Sequence, residues 1–109
     1  MAQYKIIWSN RAKIKRYKIL EFYIKRSKSK TYSIKLNRKF NKELRLLIKQ
    51  PNLGIKTVIK GVRGLIVDDF ILFYEVIKDK IVIHSIWDCR QNPDDLIIKH
   101  YCPTKFSSR

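Results

Sequence analysis

Proline and glycine are scarce in this chain, with three of each among 109 residues. So few breakers leave no linker, no internal repeat, and no Gly-rich loop of the kind whose backbone amides cradle a nucleotide phosphate. Cysteine is scarcer still. Two residues, Cys89 and Cys102, are too few for a disulfide framework. Together with His84 and His100 they match no zinc-ligand spacing, so neither a metal nor any other cofactor is expected. No apolar run approaches the roughly 20 residues that a bilayer-spanning helix needs. The opening MAQYKIIWSN has no signal-peptide core. These shortages point to a protein of the reducing cytoplasm with no membrane partner.

Acidic residues are the remaining shortage, 9 against 25 Lys and Arg, for a net charge of +16. The imbalance is local. Up to Lys49 the chain holds 16 basic and 2 acidic residues, and beyond it 9 and 7. A segment this one-sided attracts phosphate backbones or a strongly acidic protein. The competing explanation is a Lys-rich composition that leaves a solvated basic face serving solubility alone.

Apolar residues are plentiful, at 45% of the chain. A length of 109 residues suits one domain burying roughly two-thirds of its unfolded surface. The densest apolar stretch runs from Arg63 to Pro93. Its runs Leu65 to Val67, Phe70 to Val76 and Ile81 to Trp87 are rich in β-branched and aromatic residues. Asp68-Asp69 and Lys78-Asp79-Lys80 separate them, and such breaks mark hairpin turns because Asp tolerates positive φ. An antiparallel meander is the reading, with the paired glycines Gly61 and Gly64 around Arg63 suggesting a bulge or a close backbone approach there.

Upstream, Tyr4 to Trp8 alternates as a short strand, and Ser9 or Asn10 caps a helix from Arg11 to about Lys28. Ala12, Ile19, Leu20, Tyr23 and Ile24 can share its buried face, with Ile14 and Tyr17 off that stripe. A second helix is predicted over Thr31 to Lys49. Its stripe is Leu36, Phe40, Leu44, Leu47 and Ile48, and Pro51 and Gly54 end it. The aromatics Tyr17, Phe22, Tyr23 and Tyr32, although set among cations, suit a helix–sheet core better than base stacking. Residues 51–56 read as a turn. The order β-α-α-β-β-β makes an α+β fold, a helical hairpin packed on one face of an antiparallel sheet. The other face is left open, or is covered by the C-terminal segment or a partner. Residues 1–109 form one domain with its core at about 4–96, and 97–109 are expected to be a mobile tail.

Trp8-Ser9 with Ala12 and the helices through SKSKTYSIKL, the exit KQPNLGIKT, and the strands VRGLIVDDFILFYEV and IVIHSIWDCRQNPDDL together resemble the RelE/ParE superfamily of toxins from type II toxin–antitoxin modules. The resemblance covers about Tyr4 to Leu96. It implies the RelE/ParE-like fold and growth inhibition when no antitoxin is bound. It also implies one of two targets. RelE-like members cleave mRNA in the ribosomal A site, and ParE-like members poison DNA gyrase by protein contact. Fold alone does not choose between them.

Metal-independent RNA cleavage needs a base, an acid and phosphate-binding cations. The resemblance places Arg90 where RelE-like toxins bind phosphate, and Tyr101 as the C-terminal aromatic acid, base or stacking residue. Arg63 is a second cation and Glu75 a candidate base, while His84, inside an apolar strand, reads as a sheet histidine. The central-strand Arg of RelE-like nucleases is replaced by Ile71. That departure favours poisoning of gyrase over mRNA cleavage. A non-toxic basic nucleic-acid-binding domain is the further alternative. The resemblance also implies an acidic antitoxin that folds on binding, for which Lys35, Arg38, Lys39, Lys42 and Arg45 are the candidate contacts.

Overall fold

The computed structural model describes residues 4–89 of the chain. Arg90, Tyr101 and the expected tail at 97–109 lie outside them. The first strand, β1 (Lys5–Trp8), leads directly into α1 (Asn10–Ser27). Ser9 is the hinge. Its Oγ accepts from the Ala12 amide at 3.0 Å, capping the helix, and donates to the His84 carbonyl at 2.8 Å. One hydroxyl therefore starts α1 and fastens it to the far end of the chain. Ala12, Ile19 and Tyr23 are buried as the spacing required and Ile14 is exposed, whereas Tyr17 and Phe22, expected in the core, are exposed because they lie off the buried stripe. Lys28, in the left-handed region at φ 56°, ends the helix.

The second helix, α2 (Thr31–Lys49), buries Leu36, Phe40, Leu44 and Leu47. Ser33 faces α1, and its Oγ donates to the Leu20 carbonyl at 2.7 Å. Beyond α2 the chain forms β2 (Ile55–Lys56), β3 (Val62–Val67), β4 (Phe70–Ile77) and β5 (Lys80–Asp88). The α+β architecture matches the expectation, two helices on one face of a sheet, with two refinements. The strand β2 falls inside what reads as a turn, because two residues are too few for any alternation to register. It pairs with Gly64 and Arg63. The sheet, ordered β1-β5-β4-β3-β2, is mixed, since β1 runs parallel to β5. The helical hairpin supplies the long connection that a parallel pair requires.

Turn chemistry follows the sequence in one hairpin and departs from it in the next. Asp68 takes positive φ between β3 and β4, whereas Lys78 does so between β4 and β5. Gly61, at φ +85°, closes the approach to β3. The bulge sits elsewhere than Arg63. Phe73 pairs with Ser85 and Tyr74 with Ile83, so His84 is the extra residue, on β5.

Phe70 lies at the meeting of helices and sheet, its ring edge-on to Phe40 at 5.7 Å and to Tyr23 at 6.3 Å. This settles Tyr23 as core. Tyr74, fully buried on β4, accepts from the Gly54 amide and donates to the Pro51 carbonyl, both at 2.8 Å. A Cβ on Gly54 would stand 2.6 Å from the Tyr74 ring, so the turn after α2 passes where only glycine fits. Cys89, buried just past β5, is disulfide-bonded.

Two stability predictions follow from this packing. Leu44→Ala should cost about 2–5 kcal/mol, against less than about 0.5 for the exposed Lys42→Ala. Denaturant midpoints compare them, and similar small effects would remove α2 from the core. Tyr74→Phe leaves the Gly54 amide and the Pro51 carbonyl unpaired, which should cost about 1–3 kcal/mol at neutral pH. Burial holds the Tyr74 hydroxyl above its ordinary value, so the folded state favours the protonated phenol. That contribution is complete below the ordinary tyrosine value near ~10 and is lost as pH climbs through the raised one. Urea titrations in steps above that point should show the wild-type protein converging on Tyr74→Phe. A gap constant with pH would contradict the assignment.

Candidate functional site

Residues directly opposed on neighbouring strands project from the same side of a sheet. Arg63 is opposed to Tyr74, and so projects from the side that carries the helices. Its guanidinium donates from Nη1 to the Gly54 carbonyl at 2.8 Å and the Asn52 carbonyl at 3.4 Å. This candidate cation is therefore engaged in holding the turn after α2. Glu75 is opposed to Val62 and Val82, and projects from the other side.

There Glu75 meets His84, with Oε1 3.0 Å from Nε2 and both side chains partly open to solvent. The bulge on β5 makes the meeting possible. His84 is thus more than the sheet histidine its apolar surroundings suggest. No spacing signalled the pair, because it depends on an extra residue in one strand. The structure brings Glu75 to His84 and keeps Arg63 away from both. Arg90 and Tyr101 lie outside the described residues.

The same side of the sheet carries a cavity of 510 Å³. Phe73, Trp87, Val58 and Ile59 contribute apolar walls, and Arg11 and Lys15 of α1 contribute cations. Ile71 lies between Ile66 and Trp87 in the register and is fully buried. The middle of this side is therefore apolar. Among the described residues no group of three or more His, Cys, Asp or Glu is placed to hold a metal ion. No helix among them is long and apolar enough to cross a membrane.

The five cations proposed for the antitoxin are all exposed, but they divide. Lys35, Arg38, Lys42 and Arg45 follow alternating steps of three and four residues, which align side chains along one line of a helix. Lys49 continues the line and belongs with them. It runs along the crest of α2, opposite Leu36, Phe40, Leu44 and Leu47. Lys39 stands off this crest, with Nζ 2.9 Å from Asp68 Oδ2. The hydrogen bond and charge of Asp68 hold its ammonium above the usual lysine value. Arg16 is likewise committed inside the fold. It lies 4.7 Å over the Trp8 ring and donates to Asn37 Oδ1, tying β1, α1 and α2 together, and burial lowers its guanidinium from the usual value.

Three comparisons bear on these features. Residues 6–93 match the family described as the ParE toxin of the type II toxin–antitoxin system, parDE. A solved structure titled "Chromosomal ParDE TA system from P. aeruginosa" is similar, with a TM-score of 0.66. The likeness covers 79% of this chain and 96% of that one, at 19% identity, a level at which it speaks for the fold. No curated protein sequence matches. With a family match spanning most of its length and the α+β fold of a ParDE structure, the chain belongs to the ParE toxin family and is the toxin of a type II toxin–antitoxin module, with a cognate antitoxin as its partner.

Proposed function

We propose that the free toxin poisons DNA gyrase by protein contact and does not cleave mRNA on the ribosome. One observation carries this reading: the centre of the sheet side away from the helices is apolar at the buried Ile71, while Arg63 is engaged on the helix side. A nuclease must neutralise charge on the scissile phosphate, and losing one preorganised contact of that kind costs about 10²–10³ in rate. A poison that acts by contact needs a surface complementary to its target. The cavity walled by Phe73, Trp87, Val58 and Ile59, with Arg11 and Lys15 beside them, offers apolar anchors and positive charge together. The Glu75–His84 pair is the feature that favours ribosome-dependent cleavage, since such a pair can take and return a proton.

The antitoxin is proposed to be acidic, steered to the toxin by the α2 crest and held by apolar contacts. Rim charges raise the encounter rate, whereas buried anchors set dissociation.

Two experiments test these readings. Added to a gyrase supercoiling reaction, the purified chain should produce gyrase-dependent double-strand breaks, and in a translating extract it should leave mRNA intact. Glu75→Gln should keep its potency within about twofold, where loss of a catalytic base would cost about 10²–10⁴. Codon-register cuts abolished by Glu75→Gln would overturn the gyrase reading. For the antitoxin, association should slow steeply from low to high salt while dissociation barely changes. A dissociation rate rising as steeply as association falls would contradict anchoring by apolar contacts.

A further inference from the structure

The α2 crest is unlike the rest of the basic surface. Lys35, Arg38, Lys42, Arg45 and Lys49 stand on one line, each exposed. Neighbours at these spacings lie about 5–6 Å apart at Cβ. Fourteen residues of helix separate the first from the last, so the line is straight over roughly 21 Å. Among the described residues no carboxylate forms an ion pair with any of the five; the three ion pairs found involve Lys25, Lys39 and His84. The sole acid of α2, Glu43, is half-buried and off the line. By contrast the outer side of α1 mixes Ile14 and Tyr17 with the Glu21–Lys25 pair. Basic composition alone scatters cations, whereas α2 aligns five of its six on one line and keeps its acid off that line.

We propose that the α2 crest is a binding rail for the phosphate backbone of duplex DNA, held without regard to base sequence. Duplex DNA carries one charge per about 1.7 Å of axis, so a rail of this length meets more phosphates than it has cations. The duplex is stiff, with a persistence length of about 50 nm. A straight, preorganised row gains most from a straight polyanion that loses little freedom when it binds. Single-stranded nucleic acid is the poorer fit. Its recognition leans on base stacking, and the line contains no aromatic residue. A lipid surface is poorer too. An interfacial helix buries a broad apolar face, and the exposed apolar neighbours here, Ile34 and Leu46, flank the line on opposite sides. The proposal goes beyond the gyrase reading and is independent of it, because the rail acts on DNA without any enzyme present.

The test measures binding of the purified full chain to a fluorescent duplex of about 30 base pairs, from about 50 to 300 mM salt. Each rail cation should add about 0.9 to the slope of log affinity against log salt. Arg38→Ala with Lys42→Ala should therefore flatten the slope by about 1.8. The control pair, Lys56→Ala with Lys60→Ala, removes the same charge from exposed sites away from α2 and should change the slope by less than about 0.5. All four side chains are exposed, so the fold is preserved in both variants. Equal flattening in the two pairs would reduce the effect to net charge and overturn the proposal. So would no binding at the lowest salt. Tighter binding to single-stranded RNA of equal length, or to phosphatidylglycerol vesicles, would overturn it as well. The measurement contains no gyrase, so its failure is separable from failure of the gyrase reading.

Discussion

The turn that leaves α2 is the constraint on which the remainder of this molecule depends. Its backbone crosses the helix side of the sheet, where the Gly54 amide and the Pro51 carbonyl must find partners or impose a desolvation cost. Tyr74 satisfies both with one hydroxyl, and Arg63 satisfies the Gly54 carbonyl. The requirement is structural, and its consequence is functional. The arginine within the meander, Arg63, is committed to the turn, on the side away from Glu75 and His84. A sheet that uses its cation to close a loop does not have that cation free to hold a phosphate.

The same division between committed and available charge runs through the hairpin. Arg16 is stacked over Trp8 and bonded to Asn37, and Lys39 is paired with Asp68. Both join neighbouring elements of the fold. The crest of α2 is different because its opposite side is fully employed in the core. A helix that must bury Leu36, Phe40, Leu44 and Leu47 presents the reverse side to water, and the sequence lines the crest of that side with cations. Charge asymmetry along the chain thus becomes charge asymmetry in space through the period of one helix.

Much of this architecture was legible in the residues. The stripe of α2, a cap at Ser9 or Asn10 and the apolar runs of the meander all rest on local residue pattern, which a sequence displays directly. Features that depend on partners far along the chain were not legible. Strand β2 is two residues long and exists because Gly64 and Arg63 offer it an edge. The bulge is set by how β4 and β5 come into register and falls on β5, while the glycines near Arg63 mark the other alternative, a close approach at Gly64. The meeting of Glu75 with His84 inherits that same invisibility. The split of the antitoxin set, with Lys39 off the line and Lys49 on it, was present in the spacing. The pairing of Lys39 with Asp68 was not, since 29 residues separate them.

The parallel pairing of β1 with β5 has a consequence for how the molecule is made. Trp8 is matched with Ile83, and Ser9 with the His84 carbonyl, 75 residues further on. Contacts of that span are slow to form, because a long loop must close before they contribute. During synthesis at about 5–20 residues per second, the first strand waits roughly 4–15 s for its neighbour to be made. In that interval the helical hairpin can form from local contacts, with its apolar stripe lacking a sheet to cover it. The sheet edge that completes the toxin is the last to assemble, so the newborn chain passes through a stage with its basic crest in place and its fold unfinished.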